Sequence, residues 1–498
     1  MSISRRSGML PALALVLGLA PLGACTTNPA TGQQAFTAFM SEDDELRVGA
    51  EEHPKILEQM GGAYEDRALS AYINAIGQQM AGLSEKPSLK FTFTVLNDPQ
   101  VNAFALPGGY IYVTRGLLAL AEDEAEMAGV VAHEIGHVTG RHTAQRYSQA
   151  MATNIGLTAA SILAGIAGVA IPQGVGQAVS FGAQAILQGY SREQELEADK
   201  LGVRYMTRAG YDPKSLISFF GKMSAHTQLA ANLDGRERPI EHDIMSSHPR
   251  TAERIQQAIK LSGAVKSPGA KRARKIYLDQ ISGMVFGDDT DEGFVRGRAF
   301  IHPGLKFRFE VPDGFILRNS PTRVVAKGPE DSVILFTAEA KEKAKQVRSI
   351  PRYLANDWAR QLSLRDVEGF QINGLSAATG WARVNTDDGE RDLRLLAVRA
   401  SPERIYRFTF VTRPGMTNKL NEPFRRTTYS FRNISDKEAR AIHPHRMALR
   451  TVKTGDTAEK LADAMPLGKF NRQWFRVLNG LGPKEEVTPG RRVKVIIE

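Results

Sequence analysis

One short motif constrains this chain more than any other feature, because it requires a helix and a metal ion together. The stretch Val131–Val138 reads Val-Ala-His-Glu-Ile-Gly-His-Val and places His133 and His137 four residues apart. On a helix, residues four apart share one face, about 6 Å apart along the axis, so both imidazoles can reach one ion. Glu134 lies beside them, where its carboxylate can hold a water molecule against that ion. The motif therefore predicts a helix that carries a zinc site.

The flanking residues predict where this helix begins. Asp123 is a typical N-cap, and Glu126 follows three residues later as a capping-box partner. Apolar residues then recur at helical spacing, at Met127, Val130, Val131 and Ile135. The alternative for the motif alone is an ordinary helix with two histidines at this spacing by chance.

A catalytic zinc needs a third protein ligand and keeps one position for water. One protease class takes that ligand from a histidine six residues after the second one, but here the position holds Thr143. His142 falls one residue short, and we expect it to be an ordinary surface residue on a continuing helix. The other class takes a glutamate from a later helix. The segment Glu195–Asp199 places Glu195 and Asp199 on one face, so Glu195 can bind zinc while Asp199 accepts the spare N–H of a ligand histidine.

Together the two motifs resemble the gluzincin metalloprotease family that contains HtpX and the CAAX prenyl endopeptidase. The matching pattern is Ser-Arg-x-x-Glu-x-Glu-Ala-Asp downstream of His-Glu-x-x-His, within residues 41–262. It is most similar to the soluble periplasmic BepA-type members. The resemblance implies zinc binding by His133, His137 and Glu195, with Glu134 as the general base.

The same resemblance implies a role for the segment around Ser-His-Pro. His248 is expected near the metal, where in BepA-like relatives the equivalent histidine can occupy the fourth position and hold the enzyme off. Arg254 is then a candidate for binding the oxyanion or for orienting this loop. The alternative for His248 is a plain turn at the start of a helix. BepA-type relatives carry tetratricopeptide repeats after the protease domain; this sequence shows none, so delivery of clients must differ.

The first residues read as a signal for export. Residues 1–24 combine Arg5 and Arg6 with an apolar stretch, and they end in a Leu-Gly-Ala-Cys sequence that resembles a bacterial lipoprotein cleavage box. The resemblance implies lipidation of Cys25, and Thr26 after it favours the outer membrane. The expected location is the periplasm, anchored by lipid; the alternative is an ordinary secretory signal. Cys25 is the only cysteine, which excludes cysteine catalysis and cysteine-bound zinc.

Length and pattern predict several domains and an α+β fold. The 498 residues exceed one ordinary domain. A mainly helical zincin-type domain with a small sheet is expected first, then an antiparallel α+β domain rich in alternating strands, and last a small βααβ module that resembles LysM. The expected divisions are a signal peptide at 1–24, a flexible tether at 25–40, the metalloprotease domain at 41–262, a solvated linker at 263–292, the α+β domain at 293–436 and the LysM-like module at 446–498.

Residues 151–188 are rich in Ala, Gly and Ile, and two predictions are open for them. We prefer a pair of apolar helices over the active site, or a lid that touches the bilayer or a client protein. A membrane hairpin is the alternative, because residues 155–171 are just long enough for a membrane-spanning helix. Two short strands at 102–106 and 110–114 precede the motif helix, and an edge strand there could accept an extended peptide. The alternative is a simple hairpin that covers the core.

The resemblances together predict a zinc-dependent endopeptidase that removes misfolded or misassembled cell-envelope proteins. The alternatives are a protease-derived periplasmic chaperone and a peptidoglycan-associated scaffold held by 446–498. Expected partners are unfolded envelope proteins, the membrane through Cys25, and peptidoglycan through the last module. The formal net charge of +10 suits an anionic envelope surface, and the sequence has no aromatic-basic motif that indicates nucleic acid.

Overall fold

The structure is a computed structural model that describes residues 25–28, 30–153, 189–233, 235, 248, 251–264 and 268–498. The predicted signal peptide and residues 154–188 of the predicted apolar hairpin lie outside the described residues. The α+β class is confirmed, because helices and several separate sheets alternate along the chain.

The first domain is mainly helical and encloses a small mixed sheet. Its strands run in the order β3–β5–β4, with β3 (Thr92–Leu96) parallel to β5 (Tyr110–Thr114) and β4 (Ala103–Leu106) antiparallel to it. Its helices are α1 (Glu42–Gln59), α2 (Arg67–Gly82), α3 (Arg115–Leu120), α4 (Glu124–Thr139), α5 (Arg192–Arg208), α6 (Ser215–Leu233) and α7 (Thr251–Ala264). Residues 142–153 are helical as well. The central helix α4 is buried along almost its whole length, which makes it the axis of this domain.

The segment before α1 differs from the flexible tether that the sequence suggested. Two short antiparallel strands, β1 (Cys25–Thr27) and β2 (Gln34–Phe36), form a hairpin. Between them, Asn28 is buried and its amide Nδ2 donates to the backbone oxygen of Gly140 at 3.2 Å. The side chain of Arg141 donates to the backbone oxygen of Met40 at 2.8 Å. These contacts fix the hairpin against the end of α4.

The predicted linker at 263–292 is also structured in its described part. It contains helix α8 (Arg274–Ile281) and strand β6 (Val285–Phe286). Tyr277 and Ile281 are buried, and the Tyr277 hydroxyl donates to the backbone oxygen of Leu118 at 2.6 Å. The apolar side of α8 therefore belongs to the core of the first domain, and the described basic residues that suggested a solvated linker lie just before the helix and in its first turn.

The middle domain packs two antiparallel sheets around a core of aromatic side chains. A seven-stranded sheet has the order β10–β11–β12–β16–β15–β14–β13, and a four-stranded sheet has the order β17–β9–β8–β7. The core between them is rich in phenylalanine, including Phe307, Phe309, Phe336 and Phe408. The strands are β7 (Phe294–Arg296), β8 (Ala299–His302), β9 (Phe307–Glu310), β10 (Ile316–Ser320), β11 (Arg323–Lys327), β12 (Val333–Ala338), β13 (Arg365–Ile372), β14 (Leu375–Thr386), β15 (Gly389–Ser401), β16 (Arg404–Thr412) and β17 (Arg432–Asn433). The helices are α9 (Lys341–Gln346), α10 (Ile350–Arg352), α11 (Pro414–Ser430) and α12 (Asp436–Arg440).

The last segment has the predicted strand–helix–helix–strand order. It comprises β18 (His445–Thr451), α13 (Ala458–Asp463), α14 (Asn471–Leu478) and β19 (Arg492–Ile497), with β18 and β19 antiparallel. This module does not stand apart from the first domain. Strand β18 also pairs with β6, and Phe475 and Ile496 share one continuous hydrophobic cluster with Leu117 of α3.

Candidate metal centre

Helix α4 and helix α5 carry the predicted site, and small residues bring them together. A Cβ atom on Gly136 would lie 3.1 Å from the backbone of Ala198, and one on Gly202 would lie 3.3 Å from the backbone nitrogen of His133. Only glycine permits this approach without displacing the neighbouring helix. The N-cap of α4 is Asp123, as predicted, and its carboxylate accepts from the backbone N–H of Glu126 at 2.9 Å.

Four side chains converge where the two helices meet. The Nε2 atoms of His133 and His137 are 3.0 Å apart. Glu195 places its two oxygens 3.5 Å from His133 Nε2 and 3.5 Å from His137 Nε2. His248 joins them from a distant part of the chain, with Nδ1 2.9 Å from Glu195 Oε1. One ligand atom from each of the four side chains lies within 4.8 Å of every other, and all four residues are buried.

The chemistry of these donors fits zinc. Two imidazoles and one carboxylate are a ligand set found in zinc hydrolases. Glu134 Oε2 and His248 Nε2 are buried and have no hydrogen-bond partner, so polar atoms are available to an ion and to a water molecule. The buried carboxylates of Glu134, Glu195 and Asp199 outnumber the guanidinium of Arg254 among the charged side chains of this cluster. A divalent cation held by neutral imidazoles would balance the excess negative charge.

Asp199 and Arg254 hold the ligands in place. Asp199 Oδ1 lies 2.9 Å from His133 Nδ1, which is the contact that the sequence predicted. Arg254 donates from Nε and Nη2 to both oxygens of Asp199, at 2.9 and 2.7 Å. Its Nη1 lies 3.0 Å from Glu195 Oε2, and the guanidinium covers the ring of Phe220 at 4.5 Å. Because these donors are directed at two carboxylates, the geometry favours an orienting role for Arg254 over oxyanion binding.

The buried charges perturb one another strongly. Burial opposes the carboxylate of Glu195, but His248 and Arg254 outweigh it and hold its pKa well below the ordinary value. Burial and the neighbouring His133 lower the pKa of His137, so this ring is neutral. Burial and Arg254 oppose a charged His133, yet its contacts with Asp199 and Glu195 raise its pKa to about 9. Burial raises the pKa of Glu134 above its ordinary value.

His142 is a functional candidate that the sequence analysis missed, and the expectation of a surface residue is wrong. Its exposed fraction is 0% and its Nδ1 lies 2.8 Å from Nδ1 of His137. The other ring nitrogen is 3.4 Å from Glu197, whose second oxygen accepts from Asn28 Nδ2 at 3.1 Å. The helix does not continue as assumed, because α4 ends at a cap on Gly140 and the next residue turns with a φ of 53°.

Tyr190, like His142, contacts the ring of His137. Its ring stacks on that of His137, with centroids 3.7 Å apart and an angle of 16°. Its hydroxyl lies 3.3 Å from the Thr143 hydroxyl. The only sequence signal is position, since Tyr190 comes directly before Ser191, the N-cap of the helix that carries Glu195. Stacking and hydrogen bonding together fix the orientation of the His137 ring.

A narrow cavity lies beside His137 and the outer strand β4. Its volume is about 50 Å³, and its apolar walls include Leu46, Leu106 and Val138. Strand β4 is the outer strand of its sheet, although all four of its residues are buried. The prediction that an extended peptide pairs with this strand stays a prediction.

No helix among the described residues combines the length and the apolar character that a membrane crossing requires. The stretch 155–171, for which a membrane hairpin was the alternative, lies outside those residues.

Comparison with known proteins identifies relatives of the first domain. Residues 67–262 match the family described as Peptidase family M48. The beta-barrel assembly-enhancing protease of Yersinia pestis is 29% identical over 266 residues, which are 51% of this chain and 51% of the relative. The protein of that name from Escherichia coli K12 is 27% identical over 259 residues, or 51% of this chain and 50% of the relative.

A mitochondrial protein is also among the relatives. The mitochondrial metalloendopeptidase OMA1 of Schizosaccharomyces pombe is 28% identical over 228 residues, or 44% of this chain and 61% of the relative. This chain therefore spans about half the length of the bacterial relatives that it matches.

Among solved structures, cyanobacterial PsbP from Synechocystis aligns over 30% of this chain and 98% of its own, with 15% identity and a TM-score of 0.21. LpqN of Mycobacterium tuberculosis aligns over 26% of this chain and 83% of its own, with 14% identity and a TM-score of 0.21.

Proposed function

We propose that the protein is an endopeptidase that hydrolyses misfolded or misassembled cell-envelope proteins, because residues 67–262 match peptidase family M48 and contain a buried cluster that could hold a metal ion. The observation that carries the proposal is the convergence of His133, His137 and Glu195 in one buried cluster beside Glu134. Two relatives named beta-barrel assembly-enhancing protease support the choice of substrate class.

Each residue of the cluster would have a separate role in peptide hydrolysis. Zinc, when bound, acts as a Lewis acid that polarises a carbonyl and makes water a stronger acid. His133, His137 and Glu195 would hold the ion. Glu134 removes the proton from the attacking water and delivers it to the leaving amine. Asp199 fixes the tautomer of His133 by accepting its Nδ1–H, so that Nε2 points to the ion.

The direct test is the substitution Glu134→Gln, assayed on an unfolded protein such as reduced, carboxymethylated α-lactalbumin. The variant should lose roughly a thousandfold in turnover, within the range expected for a general base, and should retain zinc. Glu193→Gln is the matched control, because Glu193 lies on α5 with a side chain that is 75% exposed. Turnover retained in Glu134→Gln would contradict the proposed role.

A protease-derived chaperone is the second candidate, and the position of His248 favours it. His248 lies in the donor set itself, 3.3 Å from His133 and 3.5 Å from Glu134, where it can close the metal to substrate. The substitution His248→Ala separates the two functions. Faster degradation of the unfolded substrate would show that His248 restrains a protease. Unchanged, negligible degradation together with retained client binding would favour the chaperone.

We also propose lipid anchoring through Cys25 on the periplasmic side of the outer membrane. The proposal rests on the Leu-Gly-Ala-Cys sequence that ends the predicted signal, and Cys25 is the first residue of β1. Incorporation of labelled palmitate into the wild type and its loss in Cys25→Ser would support the anchor. Binding of the last module to peptidoglycan is a separate proposal, to be tested by co-sedimentation of the whole protein with purified sacculi.

A further inference from the structure

A long groove opens where the three domains meet, apart from the metal centre. Its volume is about 890 Å³. The C-terminal half of α6 forms one side, strands β7 and β10 of the middle domain form another, and the turn before α14 forms the third. A second cavity of about 190 Å³ continues from it, since the two share His226, Phe286 and Trp474 among their lining residues.

The inner cavity has aromatic walls and one buried cationic donor. Trp474 lies 5.7 Å from the ring of His226 and 5.3 Å from that of Phe286. Arg115 also lines the cavity and is only 1% exposed. Its Nε and Nη1 donate to Asn97 and to the backbone of Val285, but Nη2 has no hydrogen-bond partner. A buried donor without a partner is costly, so a group that meets it here gains a favourable contact.

The size and chemistry of this cavity suit one aromatic side chain. About 190 Å³ is enough for a single ring, which the aromatic walls can contact at favourable angles. A guanidinium is attracted to the face of an aromatic ring, so Arg115 favours an aromatic group over an aliphatic one of similar size. His226 is half-buried, and burial lowers its pKa to about 4, so it adds no second positive charge.

The rim of the groove is cationic. Arg318 and Lys469 line it and are exposed, and Arg296 lines it beside them. Among the described residues of the lining, Asp288 is the one acidic side chain, and it accepts from the backbone N–H of Val295 at 2.6 Å. Acidic residues on a bound chain would therefore meet positive charge at the rim.

The groove also offers the edges of two sheets. Among the described strands, β10 pairs only with β11, and β7 pairs only with β8. Residues of both outer strands line the groove. Outer strands present backbone groups that an extended peptide can pair with, which gives affinity without selecting a particular sequence.

Helix α6 connects this groove to the metal centre. Phe220 and Met223 line the cavity next to His133, and Leu233 lines the groove. Ten residues separate Met223 from Leu233, which is about 15 Å along a helix. An extended chain covers that distance in about five residues. The separation of the groove and the zinc site along α6 is therefore one that a short extended segment can span.

We propose that this groove is a docking site for an extended, acidic segment of an unfolded polypeptide substrate, with one aromatic side chain seated in the inner cavity. The proposal rests on the proposed endopeptidase function, because it describes how that enzyme would hold a long substrate. It gives the middle domain and the last module a role in recognition.

The test begins with binding. The probe is a fluorescein-labelled peptide of twelve residues with one central Phe between Asp and Glu residues, titrated by anisotropy into full-length Glu134→Gln protein. Replacing the Phe of the peptide by Ala should raise Kd at least about tenfold, as expected for burial of an aromatic side chain. Combining Lys469→Glu with Arg318→Glu should raise Kd by a similar factor. Lys453→Glu is the control, because this exposed lysine of the last module does not line the groove.

The second measurement is the rate of cleavage, and it uses proteins that retain Glu134. The paired charge variant should raise KM for a long unfolded substrate that contains the acidic aromatic segment. Its kcat, and its cleavage of a six-residue peptide that lacks the segment, should stay unchanged. Trp474→Ala should weaken binding of the Phe peptide, with thermal melting as a check on folding.

Two results would overturn the docking site: equal Kd for the Phe and Ala peptides, or equal Kd for the paired charge variant and Lys453→Glu. If neither wild type nor His248→Ala cleaves any substrate, the endopeptidase proposal fails, and the binding measurement alone then tests the groove. If wild type cleaves the long substrate and the paired charge variant has the same KM, the endopeptidase proposal is supported and the docking proposal is contradicted.

Discussion

At the scale of single residues, the zinc site depends on contacts behind the ligands as much as on the ligands. His137 is fixed by His142 through a 2.8 Å contact between Nδ1 atoms and by the stacked ring of Tyr190 at 3.7 Å. Glu197 and Asn28 extend this arrangement to the N-terminal hairpin. The first described residues of the chain thus help to orient a zinc ligand.

This arrangement predicts that His142→Ala weakens zinc binding although His142 is not a ligand. Loss of such a supporting contact commonly costs about 10- to 100-fold in metal affinity. The measurement is the zinc affinity in competition with a chromophoric chelator. His142→Asn, which keeps a polar partner, should recover part of the affinity. His443→Ala is the control, because His443 is exposed. Equal zinc affinities of His142→Ala and the control would contradict a supporting role for His142.

At the scale of elements, the last strand is bonded to the end of α3, the helix that precedes the motif helix α4. Lys494 on β19 has an exposed fraction of 0%, and its ammonium donates to the backbone oxygens of Ala119 and Ala121 at 2.7 and 2.8 Å. These oxygens belong to the end of α3, just before α4. Arg491 adds a bond of 2.7 Å to Glu122 in the same junction. The module therefore stabilises the entry to the motif helix.

Removing the Lys494 ammonium should destabilise the first domain together with the module. Lys494→Met leaves buried carbonyl oxygens without their donor, which should cost about 2–4 kcal/mol. Urea unfolding of the two proteins measures the change in the free energy of unfolding. Lys484→Met is the matched control on an exposed lysine of the same module. A chain truncated before residue 446 that still unfolds cooperatively at the wild-type midpoint would show that the module is independent.

At the scale of the whole molecule, the first and middle domains meet at a carboxylate that titrates near neutral pH. Burial, and next the charge of Asp98, raise the pKa of Glu292 to about 7 from its ordinary value of 4.5. Its Oε1 is buried without a hydrogen-bond partner. A Cβ on Gly61 of the first domain would clash with that oxygen. The domains are thus in close contact where the carboxyl group is held in its neutral form.

The sign of the pH effect follows from this raised pKa. The folded state binds the Glu292 proton more tightly than the unfolded state, so the stabilisation is complete below about pH 4.5 and is lost as pH rises through about 7. Wild type should therefore lose roughly 1–2 kcal/mol relative to Glu292→Gln between pH 5 and pH 8, after allowance for solvent screening. Urea unfolding at both pH values measures the difference. A difference that is constant with pH would contradict the assignment.

The sequence predicts the parts of this molecule that follow from local spacing. The helical period of 3.6 residues is enough to place His133 and His137 on one face, and Glu195 and Asp199 on another. The position of His142 depends on a change of chain direction at Gly140 and Arg141, which the hydrophobic periodicity of the sequence does not predict. Lys494 lies in an alternating strand and would be assigned to the surface, because its partners are more than 370 residues away. The groove arises only from the arrangement of three domains.

The central claim is that His133, His137 and Glu195 hold one zinc ion together. The most direct measurement is the zinc content of purified full-length protein by plasma mass spectrometry, for wild type, His133→Ala, Glu195→Ala and the exposed control Glu193→Ala. Wild type and the control should carry one zinc per chain, and His133→Ala and Glu195→Ala should carry almost none. Zinc retained at the wild-type level in Glu195→Ala would contradict the claim.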